Sequence, residues 1–357
     1  LAIKAHEAHA VGAKGAGARV AILDMGADFN HPELYNRFNP LLSQSFVDGE
    51  SVQFTPGMGY PASHATMMAG VIAASKNGFG VEGVAPEAEL VLVKVVSDSG
   101  AGTWEALVRG IVYAAFIDSD VINMSLGGYM TTDGYDLGNP YDASDDVYIG
   151  ADGVAAWREA MSRAAKYAHK SGCTLVGAAG NDSLNRDLYS NIVHLPSDLP
   201  HVISVSGTGP LGYGLDQTTS LDELAYYTNY GDPIDVAAPG GNIDIGTYLS
   251  GELAVVAGLP APAWLFDLVF TTDYGGYQVG LGTSFSAAHV SGVAALVAAE
   301  RGNDRGAGAV AAIVVNSADD LGATGPDDFY GKGRVNALRA VQIGRGDNDD
   351  DDDGDDD

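Results

Sequence analysis

Cysteine is almost absent from this chain: Cys173 stands alone among 357 residues. No intramolecular disulfide can form, so packing and hydrogen bonds must hold the fold. Cys173 opens the apolar run CTLVG and is expected to be a small buried hydrophobe. Basic residues are scarce as well. Lys and Arg number 18 against 47 Asp and Glu, a formal charge of −29; nine of the aspartates lie in residues 347–357, which leaves −20 on the rest. A body this acidic offers no basic patch for phosphates, so no nucleic-acid partner is expected. It favours cations and basic peptides instead. Long apolar runs are missing too. Residues 253–270 are broken by Pro260 and Pro262 and carry Asp267, so no membrane span is expected. No basic-then-apolar leader opens the chain, and a secreted or cell-surface form would have lost its export signal before Leu1.

What remains is a globular composition, 46% hydrophobic with 48 Gly, and long enough for a full core. Buried strands are expected at Arg19–Leu23, Glu89–Val96, Asp120–Ser125, 173–181, 201–208 and 233–240. Helical spacing marks His64 onward, Trp104–Asp118, Val154–Lys170, the stretch after Gly282, 306–317 and Arg334–Gln342. Strands alternating with helices predict an α/β fold of three layers, a doubly wound, mostly parallel sheet with helices on both faces. No linker splits residues 1–345, and 346–357 read as an acidic disordered tail or linker. In such sheets function collects at the carboxyl ends of strands. Asp24, Ser125–Gly128 and Asn181 fall there.

Ser284, in GTSFSAAHVSG, opens a run of small and apolar residues. Taken alone it is a helix cap or a nucleophile, since a helix N-terminus suits either a capping hydroxyl or an oxyanion. Asp24 and His64 complete the residue types that nucleophilic serine chemistry requires. A neutral hydroxyl needs an imidazole to take its proton, and the imidazole needs a carboxylate to fix its tautomer and stabilise its cation.

The local sequences then become specific. AILDMGADFNHPEL, SHATMMAGVIAASKNGFGVEGVAPEAEL, INMSLGG, VGAAGN, DVAAPG, GTSFSAAHVSG and GKGRVNALRA follow one another along residues 3–340. In this order they resemble the subtilisin-like serine peptidases. The resemblance implies a serine endopeptidase working through an acyl-enzyme, with Asp24, His64 and Ser284 as triad and Asn181 in the oxyanion hole. It implies that Ser125, Leu126 and Gly127 line one side of the primary substrate pocket and Ala178, Ala179 and Gly180 the other. The partners implied are peptide or protein substrates and an N-terminal pro-region outside this chain. A catalytically inactive subtilase-fold binding module and a processing peptidase with specific protein substrates are the alternatives.

Several positions depart from the family pattern. Met25 follows Asp24 where a hydroxyl residue is usual, Ala65 and Met67 follow His64 in place of Gly and His, and Phe285 and Ala288 replace Met and Pro after Ser284. A Phe there cannot be oxidised, so activity is expected to tolerate peroxide.

No cofactor is implied for the chemistry. A structural calcium is implied at Glu33, Ser75, Asn77, Phe79 and Val81, against the plain alternative of an Asn-Gly turn. Two insertions stand out, an Asp-rich loop at 129–152 and an apolar one at 244–268 that could flank the cleft, cover the sheet or support an interface. In the tail, Asp349, Asp351, Asp353, Gly354 and Asp357 match a calcium-loop spacing, for which a solvated charged linker is the favoured reading.

Overall fold

In a computed structural model, residues 2–136, 148–189, 191–302 and 306–346 are described. A seven-stranded sheet forms the middle layer. Its order is Val236–Pro239, Val202–Thr208, Thr174–Ala178, Val121–Met124, Arg19–Asp24, Glu89–Lys94 and Gln44–Ser45, every neighbouring pair parallel. The interior strands read as near-continuous apolar runs because both faces are covered. Successive residues alternate between the two faces. In Arg19–Asp24, Val20 and Ile22 pack into one core while Ala21 and Leu23 pack into the other.

The first core holds the helices His64–Ala73, Thr283–Arg301, Ala307–Asn316 and Ala337–Arg345. The second holds Trp104–Phe116 and Ala151–Lys170. This is the expected three-layer arrangement. The helix Thr283–Arg301 is apolar all round, as a central helix must be, with fourteen of its nineteen residues buried. Cys173 is buried, and burial, reinforced by Asp120 and Asp118, pushes its thiol up to about 12, so it packs as a hydrophobe.

Some boundaries move. The helix expected from Val154 begins at Ala151, with Asp152 in its first turn where a negative charge meets the positive helix end. The last helix runs Ala337–Arg345 rather than from Arg334, which pairs with Ala237 and Asp319 instead. Within the 129–152 loop, Gly128–Thr131 pairs with Ile192–Leu195 and Gly134–Asp136 with Tyr148–Gly150. Asp142, Asp145 and Asp146 lie outside the described residues, as does the calcium-like spacing of the tail.

The 244–268 insertion folds as a short helix, Ile245–Ser250, a hairpin of Leu253–Val256 with Leu259–Pro262, and a turn at Ala263–Asp267. The buried Asp267 carboxylate accepts the N–H groups of Gly212 and Tyr213 at 2.9 and 2.8 Å and so ties the insertion to the body. A second hairpin, Val269–Asp273 with Gly276–Gly280, was not expected from the pattern. It lies on the helix His64–Ala73, where Thr271 and Thr272 donate hydroxyl hydrogens to the carbonyls of Met67 and Thr66.

Candidate active site

Asp24 ends the strand Arg19–Asp24 at the carboxyl edge of the sheet. His64 begins its helix, fixed by Ser63, whose hydroxyl caps the helix by accepting the Thr66 N–H and donates to the Gly26 carbonyl at 2.8 Å. The cap therefore ties the histidine helix to the loop that follows Asp24. His64 Nδ1–H donates to Asp24 Oδ2 at 2.7 Å, and Asp24 Oδ1 accepts the Met25 N–H at 2.7 Å. Where the family pattern has a hydroxyl residue, the carboxylate here keeps this backbone donor. Burial works against charge on His64, but the Asp24 charge and hydrogen bond outweigh it, so the imidazole titrates above its ordinary 6.5. The side chain is 18% exposed and opens on the cleft.

Ser284 occupies the first turn of the long buried helix, where backbone N–H groups have no intrahelical partner. Its hydroxyl donates to the Ser125 carbonyl at 3.0 Å, while the Ser125 hydroxyl donates to the Ser284 carbonyl at 2.7 Å. The serine hydroxyl is therefore held on Ser125 rather than on His64 in this state. Free enzymes often tighten that last hydrogen bond only on binding substrate.

Asn181 is clamped through its oxygen. Oδ1 accepts both the N–H and the hydroxyl of Thr283, at 2.8 and 2.9 Å, and Thr283 Oγ1 in turn accepts the Gly180 N–H at 3.1 Å. With Oδ1 committed, Nδ2 is the end presented to the cleft. Gly180 has φ of +105°, and a Cβ there would come within 2.3 Å of Asn229 Nδ2, so glycine is required.

These groups meet in one cleft of about 580 Å³, lined by Asp24, His64, Ser284 and Asn181 together with Ser125, Leu126, Gly127, Ala178 and Gly180. Ala179 does not line it. It is buried beneath, its N–H on the Val205 carbonyl and its own carbonyl on Asn229 Nδ2. Met67 and Phe285, two of the departures from the family pattern, are buried against Gly280 of the second hairpin.

The sequence reading missed other members of the cleft: Thr283, Tyr129, Asp182 and His194 near the serine, and Tyr60, Trp104 and Leu107 farther along. Thr283 was visible only as the middle residue of GTS, beside Ser284. His194 sits on a four-residue strand too short to show a period. The 244–268 insertion contributes nothing to the lining.

A family model described as Subtilase family matches residues 15–333. The chain belongs to the subtilases. It is 32% identical to thermitase from Thermoactinomyces vulgaris over 331 residues, 92% of this chain and 90% of that protein. It is 30% identical to a subtilisin from Bacillus pumilus over 340 residues, 95% and 96% of the two chains. Among solved structures it resembles a lanthipeptide protease, with a TM-score of 0.70, 28% identity and coverage of 95% and 91%. A protease from Pseudoalteromonas arctica is similar at a TM-score of 0.67, 28% identity and 96% and 94% coverage. This subtilase is accordingly a subtilisin-like serine endopeptidase acting on peptide or protein substrates.

The calcium implied by the family is tested by the loop around Glu33. This carboxylate is fully buried and accepts the Val81 N–H at 3.0 Å and the Tyr277 hydroxyl at 2.7 Å. Ser75 donates its N–H to the Glu33 carbonyl at 3.0 Å, and Asn77 Oδ1 accepts the Phe79 N–H at 3.3 Å. Donor hydrogens converge on the carboxylate where a cation would bind. In this arrangement the Glu33 carboxylate is satisfied by hydrogen-bond donors without a cation.

Proposed function

We propose that Ser284 is the nucleophile of this endopeptidase, with His64 as its base, Asp24 as the group that orients and stabilises the imidazole, and Asn181 as an oxyanion donor. What carries the reading is the convergence in one cleft of the 2.7 Å Asp24–His64 hydrogen bond, a serine in the first turn of a helix, and an asparagine whose amide oxygen is tied back. On binding substrate, the Ser284 hydroxyl leaves the Ser125 carbonyl and gives its proton to His64 Nε2 as Oγ attacks the scissile carbonyl carbon. The carbonyl π pair moves onto oxygen, and the resulting oxyanion is held by Asn181 Nδ2 and the Ser284 N–H. His64 then protonates the departing amine, the C–N bond breaks, and an acyl-enzyme remains. Water, deprotonated by His64, attacks the acyl carbon; the C–Oγ bond then breaks, Ser284 Oγ takes the proton back from His64, and the acid is released. Side chains alone supply every proton transfer.

Ser125, Leu126 and Gly127 on one wall and Ala178 and Gly180 on the other would hold the extended substrate. Residues 125–127 follow the strand Val121–Met124 and lie outside any strand, so their edge is available for pairing. A processing role on a specific protein substrate is the second reading, supported by the likeness to a lanthipeptide protease and by the polar groups Asp182 and His194 in the cleft. The proposal includes an N-terminal pro-region and a secreted or cell-surface setting. Recovery of the active protein only from the cytosol would rule out that setting.

A fluorophosphonate probe tests the chemistry. It should label the wild type and fail on Ser284→Ala, with casein hydrolysis lost in parallel. Absence of labelling in the folded wild type would establish the inactive binding module instead.

A further inference from the structure

The cleft holds a second set of polar groups that the mechanism does not use. The strand Ile192–Leu195 runs antiparallel to Gly128–Thr131, pairing His194 with Tyr129, and this places His194 on the cleft wall beside Gly127. His194 is 4% exposed. Its Nδ1 lies 2.8 Å from Ser197 Oγ, which is also 3.3 Å from the His194 carbonyl and from Asp198 Oδ1. Nδ1 and the Ser197 hydroxyl share the shortest of these contacts, and Nε2 is the ring nitrogen that lies beside Gly127. Burial holds the imidazole down at about 4, so the ring is neutral at pH 7.

The ring edge packs under the main chain. A Cβ on Gly127 would come within 2.4 Å of His194 Cε1 and 2.5 Å of Nε2, which only glycine avoids. On the other side Tyr129 stacks at 4.9 Å from the His194 ring and donates its hydroxyl to Asp182 while accepting from Asn229 Nδ2 at 2.6 Å. Asp182 is exposed and lines the same cleft. Among the described residues no Lys or Arg lines the cleft. Arg186 behind the wall is committed to Asp198.

We propose that Asp182, on a cleft wall shared with the imidazole of His194, makes the primary pocket a site for a basic side chain, Lys or Arg, on the residue that supplies the scissile carbonyl. The assignment rests on the peptidase reading above and adds its substrate class. An ammonium or guanidinium only donates, and the Asp182 carboxylate only accepts. An apolar side chain would forgo the Asp182 charge, a glutamate would face it charge to charge, and a large aromatic ring would compete with the imidazole for space.

The test is a panel of peptidyl-coumarin amides differing only in that residue, with Lys, Arg, Leu, Phe or Glu. Lys and Arg should exceed Leu and Phe by roughly tenfold or more in kcat/KM, with Glu the poorest. Asp182→Asn should lower the Lys-to-Leu ratio about tenfold, and added salt should erode the same ratio in the wild type because Asp182 is exposed. His194→Leu should shift the ratio toward Leu and Phe. Tyr129→Phe removes the hydroxyl bonded to Asp182 without touching its charge, and should keep the basic preference. A wild type that favours Leu or Phe, or a ratio unmoved by Asp182→Asn, overturns the assignment. Fluorophosphonate labelling separates the two levels: a labelled enzyme with an apolar preference refutes only the pocket, whereas an unlabelled one refutes the peptidase reading beneath it. Should a variant not fold, the wild-type panel and its salt dependence decide alone.

Discussion

Two neighbouring strands, Arg19–Asp24 and Glu89–Lys94, run in register until Asp24 stands opposite Lys94. Both strands end in a buried charge at the same edge of the sheet, yet the two charges serve different ends. Lys94 is fully buried, with Nζ 2.8 Å from both Glu50 and Asp98. Asp98 also accepts the N–H groups of Gly26 and Thr55, each at 2.9 Å, and Glu50 accepts the Ser97 hydroxyl and the Asp98 N–H at 2.6 and 2.9 Å. Every charge in that cluster faces an opposite charge inside the protein, and together they hold the turn after Asp24. Asp24 faces His64, a group that can gain and lose a proton and that opens on the cleft. Burial of charge does not by itself mark a catalytic group. A titrating partner with one face free does.

The largest effect should come from Asp24→Asn, which keeps the shape but removes the charge. It should lower kcat by about 10⁴ with the fold intact. The wild-type pH profile supplies the sign: His64 must be neutral to act as base, so activity rises with pH, and its raised pKa puts the acid limb above 6.5. In the variant that limb should move to lower pH. An Asp24→Asn enzyme within tenfold of the wild type would erase the distinction between the two strand ends.

Asn181→Ala comes next, at about 10²–10³ in kcat with KM little changed, the loss seen when a subtilisin gives up this donor. Thr283→Val tests the clamp. It keeps the shape but removes one of the two hydrogen bonds to Asn181 Oδ1, and it should cost less than Asn181→Ala does.

On the other strand the damage should appear in stability. Lys94→Met strands Asp98 and Glu50 as unpaired carboxylates and should cost about 3–5 kcal/mol, read from the denaturant midpoint. Burial works to raise the Glu50 carboxyl, but hydrogen bonds from Lys94, Ser97 and the Asp98 amide, with the Lys94 charge, hold it at about 2. Its contribution is therefore complete above 4.5, the unfolded value, and is lost as pH falls from there toward 2. That is at most about 3 kcal/mol. Acid unfolding of Glu50→Gln should lack this component, and an acid transition identical to that of the wild type would refute it.

How much of this could be read from the chain follows the same division. Asp24 was legible because an apolar strand stops on it, and Ser284 because its neighbours form a distinctive motif. Both signals are local. The role of Lys94 was not legible, since ELVLVK shows only a strand and its partner Glu50 arrives from a loop much earlier in the chain. The hairpin Val269–Asp273 with Gly276–Gly280 escaped for a related reason: FTTDYGGYQVG has no sustained alternation, and its place is set by threonines bonding to a distant helix. His194 was hidden by the shortness of its strand, and the orientation of the Ser284 hydroxyl is a matter of three-dimensional neighbours alone. Family motifs point to the residues of the proposed chemistry, while those of the proposed recognition wall meet only through long-range contacts.

A third carboxylate sharpens the contrast and carries the smallest expected effect. Glu33 resembles Lys94 in being fully buried, and it resembles the family's calcium loop in position. If its donors are the Val81 N–H and the Tyr277 hydroxyl, as the geometry has them, no cation is required to compensate its charge. Chelator should then leave Tm unchanged, and added calcium should not raise it. Tyr277→Phe should lower stability by about 1–3 kcal/mol, the range for a buried charged acceptor deprived of one donor. A fall in Tm with chelator that calcium restores would instead mean that Glu33 turns from Tyr277 to a metal, and that this buried charge belongs with neither strand end.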